Sequence, residues 1–323
     1  MKAIPASGLA LAAMLLCGGC ETDFYAKQIV QPNTDRGKQA LWVTGTGKQL
    51  IMRKQIDLSQ PFSMPDGAEI DVWVIKARPP EGEAASDAAR LGTALLLHDL
   101  RESKAFLLDA GRRLAKRGYD VVLPDLRAHG RSTGTYVTYG TVEKQDLKRV
   151  MDLLINAGSV HADVYVLGIK FGAVTGIQYA AIDPRCKGIV AIAPFRDAAS
   201  EARRMIFPLA PAMSNQDFEK VLARAGQLAN FDPHLASSER AAASITCPLL
   251  IAHGMFSVPP AECQAIHDAA RGPKKLQAVA PLPGPEQMRM LADYQGWLVD
   301  KLHHVATKSL AEAPPATQPA GGL

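Results

Sequence analysis

Few stretches of this chain have a residue spacing that carries chemistry on its own. Gly45-Thr46-Gly47-Lys48 is a fragment of a phosphate loop. The loop's first glycine is not at its required distance, and Gln49 stands where a Ser or Thr would hold magnesium, so a turn before a strand is expected. The cysteines are Cys17, Cys20, Cys186, Cys247 and Cys263. None beyond residue 20 stands in a C-x-x-C spacing, so no metal site is expected, and no cofactor is either. Gly168-Ile169-Lys170-Phe171-Gly172 sets a lysine between glycines. With an ordinary pKa of about 10.4, a lysine at pH 7 is charged and has no lone pair for attack.

These residues need elements to position them. The chain has 323 residues, 47% apolar and 21% charged, with a net charge of +4. That composition excludes disordered, collagen-like and disulfide-dense classes. The basic residues are spread along the chain, so no nucleic-acid surface is expected. No apolar run after residue 20 is long enough for a membrane helix. Lys48 to Leu58 and Glu69 to Arg78 read as strands joined by a turn. Pro79 to Gly92 reads as a loop. Short apolar strands at 93–98, 120–124, 163–167, 188–193, 248–252 and 275–280 then alternate with helical stretches at 103–117, 142–156, 172–182, 259–270 and 286–305. That alternation predicts an α/β fold with a parallel sheet covered on both faces. Residues 203–212 and 216–229 read as helices with no strand between them. An excursion over about 196–245 is therefore expected as a helical lid above the strands' carboxyl ends, where ligands bind in such sheets.

The termini carry their own signals. Met1-Lys2, the apolar run Leu9–Leu16 and small residues before Cys20 describe a secretory signal. Gly18-Gly19-Cys20 resembles the bacterial lipoprotein signal, with Cys17 where that signal usually has Leu. The resemblance implies cleavage after residue 19, acylation of Cys20 and lipid-bilayer anchoring. It implies a place in the bacterial envelope, with Glu21 favouring the outer membrane facing the periplasm. Residues 20–47 read as a polar tether, 48–306 as the folded domain and 307–323 as a disordered tail.

Across residues 48 to 306 the chain resembles the α/β-hydrolase family, of the serine hydrolase and serine aminopeptidase kind. Leu95-Leu96-Leu97-His98 resembles the strand into the oxyanion loop. Asp125 to Ser132 resembles the D-x-R-x-H-G-x-S turn, the most specific match. Gly168 to Gly172 resembles the nucleophile elbow G-x-S-x-G, and Pro248 to Gly254 the strand before the acid loop. The resemblance implies a doubly wound, mostly parallel sheet of about eight strands with a small helical lid insertion. It also implies Ser, Asp and His in chain order. Lys170 stands at the serine's place. Met255-Phe256-Ser257-Val258-Pro259 has no carboxylate where the acid belongs, which leaves Asp197 as an alternative acid. Pro281 to Glu286 has no histidine. His303 and His304 lie far along the last helix.

The expected reading is a catalytically degenerate fold that binds a small anionic ligand or a partner. An active ester or amide hydrolase with relocated residues is the alternative. The family's oxyanion donors map onto the Leu100 and Phe171 backbone N–H groups, with Asp99 at the rim where a glycine is usual. Three compensations are open for Lys170: a pair with Asp99, a small anion held by the nest, or a desolvated neutral amine that attacks carbonyls. His98, Asp99, Leu100, Lys170 and Phe171 are thus the ligand-binding candidates. His98 and His129 are expected to orient loops, and His253 to be a satisfied core histidine. The family's strand order makes the strands after Cys186 and Cys247 neighbours, which implies a disulfide between them.

Overall fold

The computed structural model describes residues 18–32, 34–78, 90–254, 256, 258–279, 289–290 and 292–308. Residues 1–17, most of the 79–92 loop, Met255 and Ser257 of the acid loop, the 281–286 stretch and the tail after Lys308 lie outside them. Cys20 lies within a helix whose side chains are described from Glu21 onward.

The elements follow in chain order. They are α1 (Gly18–Val30), α2 (Asp35–Thr44), α3 (Gly47–Met52), β1 (Leu58–Ser63), β2 (Glu69–Ile75), β3 (Gly92–Leu97), a 3-10 turn (Lys104–Leu107), α4 (Leu108–Ala115) and β4 (Tyr119–Pro124). Next come α5 (Glu143–Asn156), β5 (Val164–Ile169), α6 (Phe171–Ala180), β6 (Cys186–Ile192), α7 (Ala198–Ile206), α8 (Asn215–Ala229) and α9 (Ser238–Ala242). The chain closes with β7 (Leu249–His253), α10 (Pro260–Ala269), β8 (Lys274–Ala278) and α11 (Tyr294–Thr307).

One eight-stranded sheet runs β1-β2-β4-β3-β5-β6-β7-β8. The β1–β2 and β2–β4 pairs are antiparallel and the others parallel. Every residue of β3 and β4 is buried, because helices cover both faces. Side chains alternate across a strand. Leu95 and Leu97 therefore enter the core on one face, and Ala94 and Leu96 the core on the other. Pro61 is tolerated because β1 is the edge strand.

Three expectations need correction at the N-terminal side. Residues 18–30 and 35–44 are helical and packed, where a tether was expected. Ala26, Ile29 and Val30 are buried in the main core, an i, i+3, i+4 apolar stripe inside a polar stretch. The strand expected at Lys48–Leu58 is α3 followed by a later strand, β1. The phosphate-loop fragment is the cap of α3. Thr46 accepts from the Gln49 N–H, and the Gln49 side chain accepts from the Thr46 N–H at 2.8 Å. This capping box starts a helix.

Candidate functional site

The backbone at the junction of β5 and α6 has the elbow conformation. Lys170 has φ 46° and ψ −103°, a region costing roughly 1–3 kcal/mol for a residue other than glycine. Its N–H donates to Ile192 O at 2.8 Å. The flanking glycines are required by close approach. A Cβ on Gly172 would lie 2.2 Å from Leu97 O, and one on Gly168 would lie 2.4 Å from the Gly172 carbonyl.

The end of β3 faces this elbow. Asp99 Oδ1 accepts from the Leu100 N–H at 2.7 Å and from the Phe171 N–H at 3.3 Å. These are the two N–H groups expected to receive an oxyanion. Asp99 does not stand at the rim of the nest; its carboxylate fills it. Its other oxygen, Oδ2, lies 3.5 Å from Lys170 Nζ. A carboxylate at the first N–H of α6 complements the helix dipole, and it offsets the cation that opposes that dipole. Of the three compensations open for Lys170, the structure adopts the pair with Asp99.

Two histidines hold this arrangement from behind. His98 is fully buried. Its Nδ1–H donates to Asp99 O at 2.8 Å, and its Nε2 accepts from the Leu126 N–H at 3.0 Å. Those partners define a neutral tautomer, and burial pushes its pKa down to about 3. His129 faces Arg127 O at 2.7 Å and Leu100 O at 2.5 Å, so it ties the Asp125–Ser132 turn to the nest.

That turn is itself braced. Asp125 accepts from the Lys104 N–H at 2.9 Å and the Arg131 N–H at 2.8 Å. Lys104 is wholly buried and pairs with both Asp71 and Asp125. Arg127 grips Asp146 with two nitrogens at 2.8 and 2.9 Å and reaches Asp66 at 2.7 Å. The buried Lys104 was not expected from the sequence. It stands between Arg101-Glu102-Ser103 and Ala105-Phe106-Leu107, with no motif that marks it.

The segment 196–245, expected as a lid, carries α7, α8 and α9, and α7 borders the Lys170 crevice. Glu201, Arg204 and Met205 line a crevice of about 240 Å³ together with Asp99, Leu100, Arg101 and Lys170. That is below the roughly 300–1,000 Å³ of ordinary small-molecule pockets. The cover is tied down. Arg204 pairs with Glu201 at 2.7 Å and with Glu262 of α10. Arg224 of α8 holds Asp23 of α1 at 2.5 Å, and Tyr139 Oη–H donates to Ile29 O at 2.7 Å.

Asp197 does not join the Lys170 crevice. Its Oδ1 accepts from the Ser200 N–H at 2.7 Å as the cap of α7, and Oδ2 accepts from Arg196 at 2.8 Å. The chain has eight histidines, all among the described residues, and none lines that crevice. His303 contacts Tyr119 Oη at 3.0 Å. His253 is partly exposed at the end of β7, and its Nδ1 has no hydrogen-bond partner among the described residues, unlike the satisfied histidine expected. Cys186 and Cys247 are brought together, but as free thiols with sulfurs 3.9 Å apart. No group of metal-ligating side chains occurs among the described residues.

Comparison with known proteins bears on the scaffold. The family model described as "Serine aminopeptidase, S33" matches residues 89–246. "Uncharacterized protein YqkD" of Bacillus subtilis (strain 168) is 30% identical over 173 residues, which is 49% of this chain and 53% of that protein. The chain thus spans about half the length of this curated relative. The esterase Pf2001 of Pyrococcus furiosus superposes with a TM-score of 0.58 at 20% identity, covering 79% of this chain and 95% of the esterase. The 2,6-dihydroxy-pseudo-oxynicotine hydrolase superposes at 0.55 with 18% identity, covering 79% of this chain and 70% of that one. The chain has the α/β-hydrolase fold.

Proposed function

We propose that this chain is an α/β-hydrolase-fold lipoprotein of the bacterial envelope that recognises a small anionic group, on a free ligand or on a partner, and does not turn over acyl substrates. One observation carries the reading. The oxyanion donors of the fold, Leu100 N–H and Phe171 N–H, are occupied by the chain's own Asp99 carboxylate. Acyl transfer needs those donors free for the charge that develops at the transition state. It also needs a nucleophile with a base in reach, and the residue at the elbow is a cation paired to that same carboxylate.

The crevice suits recognition of something small. An incoming carboxylate or phosphate finds Arg101 and Lys170 as its cations and competes with Asp99 for the second. That competition predicts weak, salt-sensitive binding. A fluorophosphonate probe and a nitrophenyl ester test the catalytic half. Neither the native chain nor Lys170→Ser is expected to label or turn over, since no imidazole lines the crevice. The reading fails if either protein hydrolyses the ester.

The active-hydrolase alternative draws on the intact elbow backbone and on the esterase and hydrolase among the structural neighbours. It requires labelling of the native chain at a residue other than Lys170, on an ester or amide substrate. The envelope location draws on residues 1–20. Labelling with radioactive palmitate is expected in the native chain and lost in Cys20→Ser. No described helix is long and apolar enough to cross the membrane, so lipid is the anchor this reading needs.

A further inference from the structure

The two short helices that precede the sheet carry apolar side chains that the described residues leave uncovered. α2 packs inward through Gly37 and Leu41, and α3 through Gly47 and Leu50. The residues next round each helix are exposed: Trp42 is 85% exposed, Val43 76%, Met52 81% and Ile51 41%. The described residues leave these four large apolar side chains, within eleven residues, open to water, and removing such surface from water is favourable. The other tryptophans, Trp73 and Trp297, are fully buried. Exposed cations are interleaved with the patch: Lys38, Lys48, Arg53 and Lys54. Arg131 joins Lys38, Leu41 and Trp42 along a shared groove.

We propose that residues 38–54 dock on an anionic lipid surface. Trp42, Val43, Ile51 and Met52 enter the boundary between headgroups and acyl chains, and the surrounding cations face lipid phosphates. The charge pattern selects this occupant. A second copy would bring one basic rim against another, which is repulsive. A nucleic acid would satisfy the cations and leave the aliphatic side chains wet. A lipid interface takes both: tryptophan is enriched at that depth, and helices with a basic and an apolar face lie in it. Each cation near such a surface adds about a five-fold gain in partitioning. The proposal does not depend on acylation of Cys20. If both hold, lipid and patch supply two anchors, the combination that makes attachment stable.

The test uses the full chain carrying Cys20→Ser, which removes the acyl contribution. Because Trp73 and Trp297 are buried, a vesicle-dependent change in tryptophan emission reports Trp42. With vesicles of equal parts phosphatidylglycerol and phosphatidylcholine, the emission is expected to shift to the blue and become shielded from acrylamide. Phosphatidylcholine alone should do this weakly. Val43→Ser with Met52→Ser keeps the probe and is expected to lower partitioning at least ten-fold. Lys48→Gln with Arg53→Gln is expected to lower it about thirty-fold. Unchanged emission with anionic vesicles overturns the proposal, as does equal binding to neutral ones. A blue shift that grows with protein concentration without lipid assigns the patch to a second copy. The same shift with duplex DNA assigns it to nucleic acid. Either result overturns the lipid reading. Palmitate labelling of the native chain is read separately, so failure of the acylation reading leaves a distinct signature.

Discussion

Asp99 Oδ1 accepts the Phe171 N–H at 3.3 Å while Asp99 Oδ2 lies 3.5 Å from Lys170 Nζ, so one carboxylate closes both halves of the elbow. It fills the anion nest and pairs with the cation that stands at the elbow. The two unusual residues depend on each other. The carboxylate would repel an oxyanion and the ammonium would oppose the helix dipole, yet together they make an internally satisfied pair.

Asp99→Ala should unseal the nest. In the native chain, acetate is expected to leave the Leu100 and Phe171 amide resonances in place. In the variant, both should move on acetate titration as the external carboxylate takes the vacated position. The variant should also lose about 1–2 kcal/mol of stability in urea unfolding. Acetate-dependent shifts of equal size in both proteins would show that Asp99 does not occupy the nest in solution.

Lys104→Met removes a buried cation from between two carboxylates. Lys104 pairs with Asp71 and Asp125 and lies 4.9 Å from the Trp73 ring centroid. Breaking a buried pair from one side leaves uncompensated charge and costs about 3–5 kcal/mol. Urea denaturation at pH 7 measures it, and a loss below about 1 kcal/mol would mean that the cluster is hydrated. Adding Asp125→Asn should recover part of the loss, because it removes one stranded charge.

His98 makes stability depend on pH. Burial lowers its pKa to about 3 in the folded chain, against an ordinary 6.5. Between those values the unfolded chain binds the proton and the folded chain does not. Its contribution is therefore whole above pH 6.5 and declines as pH falls, by about 1.4 kcal/mol per pH unit. His98→Gln can keep both hydrogen bonds without titrating. The native chain should lose about 1–2 kcal/mol more than this variant between pH 7 and pH 5. Parallel pH profiles would show that His98 is not buried neutral.

Cys186 and Cys247 stand 3.9 Å apart, and a bridge needs about 2.05 Å. The register explains the proximity. Ile189 pairs with Leu249 across β6 and β7, which sets the two cysteines at the start of adjacent strands. Oxidised glutathione is expected to close them, each thiol losing a proton and the pair giving two electrons to make two reduced glutathiones. Non-reducing peptide mapping should find Cys186 linked to Cys247 and Cys263 free. Closing that loop should add up to about 4 kcal/mol. Two persistent free thiols after oxidation would refute the bridge.

Much of the scaffold was legible in the residues. β3 through β7 lie within about two residues of their expected positions, because short apolar runs between helical periodicities have few alternative readings. The elbow and the braced turn were marked by matched local motifs. The N-terminal side was misread although its signals were present. The Thr46/Gln49 capping box starts a helix, and Ala26, Ile29 and Val30 form an apolar stripe. A polar average over residues 21–45 hid the stripe, and reading Lys48 to Leu58 as a strand hid the capping box.

What the sequence determined by itself was residue type: a lysine at the elbow position and no histidine in Pro281 to Glu286. What only the tertiary structure decided was the fate of Asp99. From its position alone it could stand at the rim or fill the nest, because the donors it meets are backbone N–H groups that every residue but proline carries. Their convergence is set by how β3 and α6 pack, and a side chain finds such a site only once the sheet has formed.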